Sequence, residues 1–115
     1  IKDLRQKIQL EKFEIVNCTE VGEHIEPAAL DNFLENISKF TNKYLIMTWS
    51  STFPGKDGPP QHVSSLKYED FITLVESYGF KKNFDLSEKF IENSQDYTNF
   101  YFWWRDSITV FEKAT

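Results

Sequence analysis

The side chains able to do chemistry in this chain are few and widely spaced. Cys18 is the only thiol, and His24 and His62 are the only imidazoles. A Cys–His nucleophile needs the two groups side by side and a third to orient the base, and no spacing here supplies that. Cys18 therefore reads as a buried structural thiol. His24 stands among Glu20, Glu23 and Glu26, a set without the paired His or Cys spacing of a zinc site. No metal and no cofactor is expected. Ser50 and Ser51 follow a predicted strand but lack the Gly-x-Ser-x-Gly turn that exposes a hydrolase nucleophile. Gly55-Lys56-Asp57-Gly58 lacks the order of a phosphate loop, and no helix begins at its end.

The aromatic pair Trp103-Trp104 offers flat surfaces that stack on bases or sugars. On a strand, adjacent side chains point to opposite faces, so one indole belongs to the core and the other is packed or open to a partner.

Charge is distributed unevenly. The net charge of −5 argues against affinity for nucleic-acid phosphates. Between Lys12 and Lys39 there is no Lys or Arg, while Glu14, Glu20, Glu23, Glu26, Asp31 and Glu35 all fall there. Such a run creates a negative field that accelerates encounter with a cationic partner. Glu20, Glu23, Glu26, Asp31 and Glu35 are the candidate partner-binding acids, with Phe53 or Trp104 as an apolar anchor. The plainer reading is a solvated helix face and loop, with Glu26 near the positive end of the helix dipole.

These residues must be positioned by a small framework. The 115 residues, with 40% hydrophobic and 17% aromatic side chains, suit one domain over 1–115. No apolar run approaches the roughly 20 residues needed to span a bilayer. A single cysteine forbids an internal disulfide, which points to a reducing, cytoplasmic setting. The first residue is isoleucine, which leaves open a signal peptide removed before it. Two triplets match the glycosylation pattern, Asn17-Cys18-Thr19 and Asn36-Ile37-Ser38, the second inside a predicted helix.

Leu4 and Ile8 hint at a short helix in residues 1–10, while Ile8 and Leu10 begin an alternation. The alternation runs on from Lys12 to Thr19 and predicts a strand buried at least in part on both sides. Pro27 fits the first position of a helix whose stripe is Leu30, Phe33, Leu34, Ile37 and Phe40. Tyr44–Trp49 reads as a central strand. Residues 50–65, rich in Pro and Gly, read as a long loop. A second helix covers Tyr68–Tyr78 and stops at Gly79 in the C′ position. A third begins after Asp85, with Glu88 completing a capping box. Phe100–Trp104 and Ser107–Phe111 predict two strands joined at Arg105-Asp106. The order predicts an α+β domain, with a mostly antiparallel sheet of about four strands against two or three helices.

In size, acidity, aromatic richness and lack of a catalytic set, the chain resembles the small acidic bacterial immunity proteins. These neutralise nuclease toxins by covering a cationic active site or substrate groove. The resemblance implies a protein-binding inhibitor rather than an enzyme. Its partner would be a basic toxin domain, without contact to nucleic acid or membrane. The alternative is a small enzyme or ligand-binding domain, with a pocket between the sheet and the 50–65 loop and His62 as acid–base residue. A third reading is a subunit whose aromatic last strands pair with a neighbour.

Overall fold

The computed structural model describes residues 4–6, 11–19, 21–50, 63–95 and 108–114. The apolar stripe seen in the sequence becomes helix α1, Leu30–Phe40, which buries Phe33, Leu34, Ile37 and Phe40 and leaves Asp31 and Lys39 exposed. Pro27 opens a 3₁₀ turn, Pro27–Ala29, that runs straight into α1. Its fixed φ and missing N–H suit that entry. At the other end the Thr41 hydroxyl donates to the Ile37 carbonyl at 2.7 Å, and the chain becomes extended. Helix therefore passes into strand with no intervening loop.

Among the described residues four strands form the sheet: β1, Phe13–Cys18; β2, Thr41–Met47; β3, Phe80–Lys82; and β4, Thr109–Lys113. Helices α2, Tyr68–Glu76, and α3, Phe84–Gln95, flank β3 in sequence. The strand order is β1-β2-β4-β3. β4 is antiparallel to both of its neighbours, whereas β1 and β2 are parallel. The α+β class holds, and the sheet is mixed rather than mostly antiparallel. Parallel neighbours need a crossover, and α1 is that crossover.

β2 is interior, as its apolar run predicts, with Leu45 and Met47 fully buried. β1 departs from expectation. It is the terminal strand of the sheet, and Phe13 and Ile15 are 45% and 61% exposed. Only the face carrying Val16 and Cys18 turns toward the core. Among the described residues no strand pairs with its outer edge.

β3 was not expected, because three residues are too few to show a period. α3 begins at Phe84 rather than after Asp85. Its cap is Asn83, whose Oδ1 accepts from the Leu86 N–H at 2.9 Å, and Asp85 sits in the first turn. Gly79 adopts φ +93° just beyond α2, where a residue with a Cβ would be strained. It is the second residue past the C-cap Ser77, one position later than expected. β4 corresponds to the second predicted C-terminal strand, displaced by two residues. The Phe100–Trp104 strand and the Arg105-Asp106 turn lie outside the described residues, as does most of 1–10.

The core is built on aromatic contacts. Phe71 packs against Trp49 and Phe111, with ring centroids 5.7 and 5.6 Å apart, and Phe80 reaches Phe111 at 6.3 Å. The tilted and edge-on geometries are those favoured by ring quadrupoles. Asn36 is buried in α1, and its amide nitrogen donates to the carbonyls of Leu4 and Gln6 at 2.8 and 2.6 Å. The second glycosylation triplet is therefore committed to internal hydrogen bonds. No described helix is long and apolar enough to cross a membrane.

Candidate functional site

Because β1 and β2 are parallel and Cys18 pairs with Met47, both strands release the chain at the same end of the sheet. In open sheets of this kind, ligands collect outside the carboxyl ends of parallel strands. After β1 comes a 3₁₀ turn, Gly22–His24. After β2 come Thr48, Trp49 and Ser50, the first two buried.

The two exits are held together through one tryptophan and one serine. Gly22 lies directly against the six-membered ring of Trp49. The Trp49 Nε1–H donates to the Ser64 carbonyl at 2.7 Å. In turn the Ser64 N–H donates to the Glu23 carbonyl at 3.0 Å, and its hydroxyl to the Ile25 carbonyl at 2.5 Å. The Leu66 N–H donates to the Ser50 carbonyl, also at 3.0 Å. Both ends of the 50–65 segment are thus tied to the exits of the two parallel strands. Most of the predicted 50–65 loop, residues 51–62, lies outside the described residues.

The thiol there is the buried one that the sequence suggested. Cys18 is buried, and removal from water, with the negative charge of Glu23 as a second cause, pushes its thiol up to about 12. It stays protonated at neutral pH and is a poor nucleophile. His24, in the 3₁₀ turn after β1, is exposed. His62 lies outside the described residues, so its proposed acid–base role has no geometry to stand on.

Among the described acids of the run, exposure differs. Glu23 is only 2% exposed, because the 3₁₀ turn after β1 tucks it under the Ser64 segment. It cannot serve as a surface contact, contrary to expectation. Glu26 is exposed and faces Arg5 at 3.4 Å. Asp31, exposed on α1, accepts from the Tyr78 hydroxyl at 2.7 Å. Loss of water around Tyr78, then this hydrogen bond, pushes its phenol up to about 12. Glu35 is half-buried on the same helix. Glu20, Phe53 and Trp104 lie outside the described residues. The residues that sequence reasoning passed over are Gly22, Trp49 and Ser64. The available signal was a glycine and a tryptophan each placed just past the end of a strand.

No protein-family model matches the sequence, and no characterised protein matches it at the sequence level. Among solved structures it is similar to magnesium protoporphyrin IX methyltransferase (ChlM) from Synechocystis PCC 6803 with bound SAH, at a TM-score of 0.57 and 15% identity. The match covers 99% of this chain and 49% of that one, so the chain spans about half the length of the methyltransferase. The likeness is one of fold. It replaces the expectation of an acidic, toxin-neutralising immunity protein, since the fold neighbour is an enzyme with a bound small molecule.

Proposed function

We propose that this chain is a small-molecule-binding part of a group-transfer fold, its ligand lying outside the carboxyl ends of β1 and β2. The observation that carries this reading is the tying of the 50–65 segment to both strand exits through Trp49 and Ser64. Ligand sites in such sheets usually lie outside the carboxyl ends of parallel strands held by a rigid scaffold. The ligand class follows from the fold neighbour, which holds SAH. S-adenosylmethionine gives its sulfonium methyl to an acceptor's nucleophilic atom, the methyl–sulfur bond breaking to leave S-adenosylhomocysteine.

The groups present fit a polar small molecule. His24 is exposed and Ser50 half-buried, and they follow the ends of adjacent parallel strands. Trp49 does not line the site: its indole is buried and serves the scaffold.

Calorimetric titration of S-adenosylhomocysteine into the natural polypeptide containing residues 1–115 tests the proposal. Saturable binding that is weakened by His24→Ala, with the fold retained by circular dichroism, is the expected outcome. A folded protein that gives no saturable heat would overturn it.

A further inference from the structure

A second group of side chains meets at the far side of β4. The Lys82 ammonium donates to the Tyr68 hydroxyl at 2.9 Å. That hydroxyl is 3.0 Å from Oγ1 of Thr109, which is fully buried. The Tyr68 oxygen accepts from Lys82, and the Tyr68 and Thr109 hydroxyls share a hydrogen bond in which either can donate. Lys82 also lies over two rings, 5.0 Å from the centroid of Tyr68 and 4.5 Å from that of Phe84. Thr109 pairs with Met47, the last residue of β2, so the cluster belongs to the carboxyl end of that strand.

Two features are unusual for a purely structural cluster. Among the described residues Lys82 meets no carboxylate: Glu76, the acid nearest in the hydrogen-bond pattern, accepts from the Lys82 backbone N–H instead. Phe84 is 68% exposed, although a phenylalanine at the start of a helix is costly to leave in water. The ammonium is held in place by aromatic faces and retains N–H donors for another acceptor.

We infer that Lys82, Tyr68 and Phe84 form a binding site for a flat aromatic ligand bearing a carboxylate. The carboxylate oxygen takes a charge-assisted hydrogen bond from Lys82, and the ring of the ligand covers the exposed face of Phe84. Tyr68, fixed by Thr109, holds the ammonium in position. No bond is made or broken at this site.

The probe is 1-naphthoate, titrated into ¹⁵N-labelled protein and followed by amide shifts, with its uncharged methyl ester as control. Shifts should cluster on Tyr68, Lys82 and Phe84. Affinity for naphthoate should fall by about fivefold or more in Lys82→Met and recover in Lys82→Arg, as loss of a charge-assisted bond requires. Phe84→Ala, at an exposed position that leaves the core intact, should weaken binding by about threefold or more, the order expected for a lost aromatic contact. The ester should bind wild type and Lys82→Met alike. Shifts spread over the surface, or equal naphthoate affinity in wild type, Lys82→Met and Phe84→Ala, would overturn the assignment.

Discussion

A Cβ on Gly22 would come within 2.2 Å of Cζ3 of Trp49, far inside van der Waals contact. The indole cannot retreat, since it is buried and its Nε1–H is bound to the Ser64 carbonyl. Gly22→Ala should therefore destabilise the protein by about 3 kcal/mol, the upper range for overpacking a tight site. Urea denaturation measures this. A cost under about 1 kcal/mol would mean the contact relaxes easily.

Trp49→Phe keeps an aromatic ring in the core but removes the donor to Ser64. The carbonyl is left without that bond, and part of the volume is left empty, which together cost about 2–4 kcal/mol. The loss should be local as well as global. Hydrogen exchange of the Leu66 N–H, bonded to the Ser50 carbonyl beside Trp49, should accelerate more than that of amides within β2.

Cys18 gives the pH dependence. Its pKa rises from an ordinary 9.0 to about 12 on folding, chiefly through burial and secondly through Glu23. Between these values the folded state binds more protons than the unfolded state. Its contribution to stability is full below pH 9 and declines as pH climbs toward 12, at up to roughly 1.4 kcal/mol per pH unit. Tyr78, raised from 10.0 to about 12, acts in the same direction. Cys18→Ala should flatten the alkaline limb of the stability curve. In the native protein at pH 8 the thiol should resist a disulfide reagent and react on denaturation.

Asn83 caps α3 through Oδ1 and the Leu86 N–H. Asn83→Ala should cost about 1 kcal/mol, and Asn83→Asp much less, because aspartate caps as well and carries a charge favourable at a helix start. Thermal denaturation of the two variants separates the cap from a simple loss of side-chain volume.

Local patterns determined much of the fold. The α1 stripe from Leu30 to Phe40, the buried run of β2 and the left-handed Gly79 were legible because period, burial and φ are imposed over a few neighbouring residues. Strand direction is not encoded locally. That β1 runs parallel to β2 and leaves Phe13 and Ile15 exposed follows from where α1 returns the chain and from β1 lying at the end of the sheet among the described residues. The candidate site was the least legible part. Glu23 reads as one acid in a surface run, yet the turn after β1 buries it. Gly22, Trp49 and Ser64 are separated by up to 42 positions in numbering. Their meeting depends on two parallel strands ending side by side, a relationship set by long-range packing rather than by any neighbouring residue.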